Sequence, residues 1–327
     1  AGEALGGNVR WRGRRPSRFT NANRRFAVLL LLLGGAAFHL LRLAAGIGAD
    51  FDVRGEAQGE GLLVVLSWGL PLGIALSVMH RHWGSRARVL LSLAGVAILI
   101  LGGVRSPLIL IAVAALPRLL AILGRQRTRY VAWPALIIGA NAALAVAAGL
   151  SAWRGSIRRE EPVSLWSAIR DSFMDPVGSL TSSGLDTVDG LLFVRAFSDE
   201  IAYFRPEELI APFIALIPRQ IFPGKPEFIT NTISNEYLGF GTAGMFMSGP
   251  GYLWIILGSA LAAILGFGLL GLGFGLFGRR AATSAAWLIG SYLIFRFVMG
   301  GGPYDVLISL ELAGLWMVAL LFSRGFS

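Results

Sequence analysis

Phe26 to Ala44 reads FAVLLLLLGGAAFHLLRLA, an unbroken apolar run close to the ~20 residues a helix needs to cross a bilayer. Runs of the same kind recur along the chain. Seven more are read at Gly61–Met79, Arg88–Val104, Pro107–Leu123, Val131–Ala152, Gly251–Gly271, Ser284–Gly300 and Tyr304–Phe322. The whole chain agrees with them: 55% of its 327 residues are hydrophobic and the mean hydropathy is +0.66, too apolar for a soluble domain of this length. The fold class expected is all-α, a polytopic transmembrane bundle of about eight spans.

Charge sets the expected orientation. The net charge is +10, and nearly all of the positive charge is arginine; Lys225 is the only lysine. The arginines gather in short clusters between apolar runs: Arg10 to Arg25, Arg81 to Arg88, Arg125 to Arg129, Arg279–Arg280 and Arg324. Eight spans place all five clusters on the cytoplasmic side, as the positive-inside rule requires, and both termini with them. The chain then divides into a basic arm (1–25), five spans (26–152), an extracytoplasmic segment (153–250) and three spans (251–327). The apolar stretch from Val89 to Leu116 is interrupted only by Arg105. Gly102, Gly103 and Pro107 around it predict a tight hairpin with Arg105 at the outer tip. Charge distributed in this way argues against nucleic acid as a partner. Cysteine is absent, which excludes disulfides, thiolate metal sites and a cysteine nucleophile. The arm 1–25 is polar and basic, unlike a signal peptide.

The segment 153–250 is not patterned as a simple soluble domain. Ser164–Phe173 predicts a short amphipathic helix. Val188–Phe197 is apolar around Arg195, and Glu207–Ile217 predicts an apolar helix too short to span. Such pieces lie on the membrane interface or re-enter the protein. In Gly251–Gly271, the residues Gly258, Ala262 and Gly266 repeat at four-residue spacing and predict a face for close helix packing.

The outer face collects Arg105, Arg154, Arg158, Arg159, Arg170, Arg195, Arg205, Arg219 and Lys225, with Arg296 near the outer end of the seventh span. Guanidinium forks match phosphate oxygens and hold their charge at any working pH, so an anionic ligand at membrane level would account for them. Pairing with Glu160, Glu161, Asp171, Glu207 and Glu208 is the alternative, and it suits Arg154, Arg158, Arg159 and Arg205 best. Arg105 and Arg296 are expected to serve function, because an ionised group at membrane depth is costly. Ile217 to Pro226, IPRQIFPGKP, holds Arg219 and Lys225 between three prolines, as a rigid anion clamp would.

Three stretches together resemble one family. The Pro-Arg-x-x-x-Pro-x-Lys-Pro turn at 218–226, the hairpin Gly103-Val104-Arg105-Ser106-Pro107 and the Gly-rich approach Gly239–Gly251 are similar to bacterial oligosaccharide repeat-unit polymerases, the O-antigen polymerase (Wzy-type) group. The resemblance implies a GT-C membrane glycosyltransferase that joins polyprenyl-diphosphate-linked glycans on the outer face of the cytoplasmic (inner) membrane of bacteria. It implies Arg105, Arg195 and Arg219 as clamp residues, with lipid-linked donor and acceptor, the bilayer and a chain-length regulator as partners. A carboxylate must take the acceptor proton: Asp189 and Asp199 flank Arg195, and Asp50 and Asp52 follow the first span. Lys225, Arg296, Asp50, Asp52 and Glu236 are the expected substrate-binding set. No metal and no cofactor are expected, since the one Asp-x-Asp, at Asp50 and Asp52, has no outer histidine beside it. A ligase-like or other GT-C enzyme, or a transporter or flippase of an anionic lipid-linked glycan, are the alternatives. The outer loops hold no histidine, which disfavours the ligase; His39 reads as a packed or hydrogen-bonded span residue.

Overall fold

A computed structural model describes residues 21–44, 60–79, 85–101, 106–123, 163–175, 186–215, 229–233, 249–280, 284–299 and 303–324, with scattered positions from 134 to 156 and at 217, 221, 222, 224, 236 and 237. The described chain is almost wholly helical. Its one extended feature is an isolated antiparallel bridge between Phe204 and Leu257. Three helices are long and apolar enough to cross a membrane, Ala22–Ala44, Leu62–Met79 and Val306–Ser323. Shorter apolar helices cover Pro107–Pro117, Ala260–Gly273 and Ala285–Phe297. The described residues form two compact units, one from those of 1–51, 58–184 and 315–327, the other from those of 185–314.

The first unit is built on α1 (Asn21–Ala44), α2 (Glu60–Ser67), α3 (Gly69–Met79), α4 (Ser85–Leu101) and α5 (Ser106–Leu123). α3 is its centre, with every residue from Gly69 to Ser77 buried. Glycine rows let α1 and α3 meet backbone to backbone: a Cβ at Gly35 would overlap the Leu70 backbone, and one at Gly73 would meet Leu32 N at 3.0 Å. With no apolar-solvent penalty to drive helices together in lipid, this close approach is what holds such pairs. The second span read from the sequence, Gly61–Met79, is present but breaks at Trp68. Pro71 explains the break, because it has no N–H to return to the Ser67 carbonyl. The Ser67 hydroxyl donates to Val64 O at 2.7 Å and faces the buried Arg42 of α1 at 3.5 Å. His39 is 2% exposed and hydrogen-bonds the backbone of Ile98 in α4, as a packed span residue would.

Asn23 Nδ2 donates to Ser323 O at 2.9 Å, both residues buried. The start of α1 and the end of the last helix therefore lie at the same end of this unit. α6 (Leu165–Met174) falls within one residue of the expected amphipathic helix, N-capped by the Ser164 hydroxyl, which accepts from Ser167 N at 3.1 Å. It buries Ala168 and Ser172 and turns Trp166, Phe173 and Met174 outward. That is the inverse of a soluble amphipathic helix and suits contact with lipid. Arg170 pairs with Asp171 at 3.1 Å, both exposed, as the charge-pairing alternative expects.

The second unit holds α7 (Asp186–Ala196), α8 (Ser198–Ile201), a 3₁₀ turn at Pro206–Leu209, α9 (Ala211–Ala215), α10 (Ile229–Ile233), α11 (Gly249–Leu257), α12 (Ala260–Arg280), α13 (Ser284–Met299) and most of α14 (Pro303–Arg324). Its core joins Val194 of α7, Ile201 of α8, Ile229 and Ile233 of α10, Tyr252, Leu253, Ile255 and Ile256 of α11, Ala263 of α12 and Phe297 of α13. Helices of the segment read as extracytoplasmic thus share one core with helices read as spans. The predicted helix Glu207–Ile217 is instead the 3₁₀ turn followed by α9, because Pro206 and Pro212 restrict the backbone on either side.

Candidate functional site

The expected span Gly251–Gly271 is two helices that double back on each other. α11 ends at Leu257, Gly258 takes φ +74°, and α12 begins at Ala260. In one continuous helix, positions 253 and 266 would stand about 20 Å apart. Here a Cβ at Gly266 would meet the side chain of Leu257 at 3.1 Å and that of Leu253 at 3.8 Å. The four-residue spacing of small residues therefore has another use: Gly258 makes the reversal and Gly266 the contact inside the hairpin. A left-handed residue that closes a helix favours glycine, and Ser259 caps the next helix at once by accepting from Ala262 N at 3.1 Å. α11 has nine residues, about 13 Å of helix, less than half a ~30 Å hydrocarbon core. α12 has 21 residues, and its apolar part covers Ala260–Gly273.

A helix that ends in a turn leaves its last carbonyls to be satisfied. The stretch Tyr203–Arg205 supplies the donors. Tyr203 N donates to Ile255 O at 3.1 Å and Arg205 N to Ile256 O at 2.7 Å. A Cβ on Gly258 would meet Phe204 N at 3.1 Å, so the strand lies directly on the turn. Arg205 is half-buried, its guanidinium 5.6 Å from the Tyr203 ring centroid.

The 3₁₀ turn that follows carries Glu208 inward. The Tyr252 hydroxyl of α11 donates to the Glu208 backbone carbonyl at 3.1 Å. The carboxylate accepts from the backbone N–H of Ile229 and feels the charge of Arg205; its Oε2 is buried and has no hydrogen-bond partner among the described residues. Burial pushes the Glu208 carboxyl up from its ordinary value, and neighbouring Glu207 adds to the rise. The Ile229 N–H and Arg205 pull the other way. Glu208, Arg205 and Tyr252 thus meet where the broken helix, the 3₁₀ turn and α10 converge.

The expected site residues divide as follows. Arg195 lies exposed in the last turn of α7, and Asp199 is exposed on α8. Beside them Phe193, Phe197 and Tyr237 form an aromatic cluster, with centroids 4.8, 5.6 and 6.1 Å apart. The Tyr237 hydroxyl meets the Glu200 carboxylate, and the exposed Glu236 is adjacent. Arg296 is half-buried on α13, next to the core residue Phe297. Asp189 falls on α7, its side chain outside the described set; Asp50, Asp52, Arg105, Arg219 and Lys225 lie outside the described residues. Sequence reasoning missed Glu208 and Tyr252 as site residues and assigned Arg205 to a solvated ion pair. The one available signal was Arg-Pro-Glu-Glu at 205–208, charged residues fixed by a proline between apolar runs. Among the described residues, no group of three or more His, Asp or Glu is placed to hold a metal ion.

Comparison of the chain with protein families, with curated proteins and with solved structures gives no match.

Proposed function

We propose that the chain is a membrane glycosyltransferase that extends polyprenyl-diphosphate-linked oligosaccharide repeat units on the extracytoplasmic face of a bacterial inner membrane. The observation that carries this reading is the reversal at Gly258. It sets a half-buried arginine and a carboxylate of raised proton affinity against the end of a helix too short to cross. A guanidinium there can hold a diphosphate and stabilise the charge that develops as it leaves. A carboxylate beside it can take a proton from an attacking hydroxyl. Arg195 on α7, with the proline-flanked Arg219 and Lys225 of the same segment, would supply further anion contacts. The exposed Phe197 and Tyr237 rings, with Asp199, Glu200 and Glu236 around them, suit a sugar whose C–H face rests on aromatic carbon while its hydroxyls meet carboxylates.

The reading is tested with protein in lipid nanodiscs. A polyprenyl diphosphate should bind with an affinity that falls as salt rises, and the matching polyprenol should bind at least tenfold more weakly. Equal binding of the two lipids contradicts the reading.

One observation favours a second reading. Helices break in both units, at Trp68 in the first and at Gly258 in the second, and paired discontinuous helices are a transporter's device. A transporter would carry a fluorescent lipid-linked glycan across a liposome bilayer without lengthening it.

A further inference from the structure

We propose that Glu208 is the proton acceptor of the transfer reaction. This assignment rests on the glycosyltransferase reading and deepens it. The geometry sets Glu208 apart from Asp199 and Glu236, the two described carboxylates among those singled out by sequence. Asp199 and Glu236 are exposed, with water to satisfy both oxygens. Glu208 is fixed from three elements: its own 3₁₀ turn, the Tyr252 hydroxyl of α11 on its carbonyl, and the Ile229 N–H of α10 on its carboxylate. With one carboxylate oxygen engaged, Oε2 remains buried and without a hydrogen-bond partner among the described residues. A buried acceptor left unmatched carries a desolvation cost, which an incoming hydroxyl donor would relieve. The groups facing the carboxylate are Arg205 and Glu207 on its own segment and the Tyr252 hydroxyl of α11. The Arg205 guanidinium acts electrostatically on this carboxylate, so its charge also reaches an anion bound beside the base.

The step balances. The acceptor sugar's O–H bond breaks and its proton goes to Glu208 Oε2, while the oxygen forms a new C–O bond at the donor's anomeric carbon. The bond from that carbon to the diphosphate breaks, and its electron pair leaves with the polyprenyl diphosphate, whose charge Arg205 is placed to meet. Glu208 later releases the proton to water.

The test measures chain extension from a lipid-linked repeat unit by full-length protein in nanodiscs, alongside binding of polyprenyl diphosphate. Glu208→Gln should lower the rate by about 100- to 10,000-fold and leave diphosphate binding within about twofold. Glu208→Asp should recover part of the rate. In the wild type, activity should fall as pH drops through a transition above the ordinary glutamate value of 4.5, and the residual activity of Glu208→Gln should lack that limb. If Glu208→Gln extends chains at the wild-type rate, the assignment is overturned and the transferase reading stands. If Glu208→Gln does not fold, a wild-type acid limb at or below 4.5 overturns it just as well. If the wild type binds diphosphate and never extends a chain, the transferase reading falls and takes the assignment with it.

Discussion

The Tyr252 hydroxyl donates a 3.1 Å hydrogen bond to the Glu208 backbone carbonyl, joining positions 44 residues apart in the chain. It is the direct tie between the broken helix α11 and the 3₁₀ turn that carries the carboxylate. Tyr252→Phe keeps the ring, which lies edge-on to Phe297 at 6.3 Å, and removes the donor. The loss should cost about 1 kcal/mol, the net worth of one hydrogen bond. Thermal unfolding in detergent should show a midpoint lower by a few degrees, and an unchanged midpoint would remove this bond from the account.

Glu208 makes a second prediction, on stability against pH. Its carboxyl binds a proton more tightly in the folded protein than its ordinary value allows, because burial disfavours the charge. A raised folded value favours folding at low pH, where the group is protonated in both states. That contribution is lost as pH rises from the ordinary value through the raised one. Glu208→Gln should therefore be at least as stable as the wild type at neutral pH. The two unfolding midpoints should converge, or cross in favour of the wild type, near pH 4. A large loss of stability in Glu208→Gln at pH 7 would contradict the burial argument.

Gly258 carries the reversal. An alanine there is strained by φ +74° and would bring its Cβ to 3.1 Å from Phe204 N. The left-handed conformation alone costs about 1–2 kcal/mol for a residue with a Cβ. Gly258→Ala should lower the unfolding midpoint and expose the Tyr203–Arg205 backbone to faster hydrogen exchange, whereas Gly268→Ala, where nothing lies within 4 Å, should do neither.

Adjacent glycines in α1 give the sharpest contrast in the first unit. A Cβ on Gly35 would overlap the Leu70 backbone, and neither backbone can move without parting α1 from α3. A Cβ on Gly34 meets nothing within 4 Å. Gly35→Ala should abolish recovery of folded protein in detergent. Gly34→Ala should be neutral, or stabilising by about 0.5–1 kcal/mol through helix propensity. Size-exclusion profiles of the two variants separate these outcomes.

The apolar helices were legible because a bilayer demands a length and a polarity that show directly in an apolar run. Ser85–Leu101, Ser106–Leu123, Ser284–Met299 and Pro303–Arg324 fall within three residues of their expected bounds, α1 starts five residues before the expected Phe26, and most of the expected span Val131–Ala152 lies outside the described residues. The hairpin at Gly258 was not legible, because α11 and the start of α12 are both apolar and hydropathy records no direction. A glycine spaced for helix packing and a glycine needed for a left-handed turn look alike in sequence. Glu208 was hidden for a related reason. Beside Arg205 and Glu207 it reads as one more solvated charge, and only the fold places the Ile229 N–H and Tyr252 next to it. The amphipathic helix α6 shows the reverse case, in which a local N-cap at Ser164 and a local pattern carried enough information.

Extension of a lipid-linked glycan at a diphosphate clamp, as proposed for this chain, is read out in polymer length. Purified protein in nanodiscs would be given a lipid-linked repeat unit and the products resolved by gel. The account predicts a ladder of increasing length from the wild type and from Arg158→Ala. Arg219→Ala should slow extension about 100-fold, by the loss of one charge contact worth on the order of 3 kcal/mol in the transition state. Arg219→Lys should recover only part of the rate, because a point charge cannot reproduce the guanidinium fork. A single unextended band from well-folded wild-type protein, or an undiminished ladder from Arg219→Ala, would contradict it.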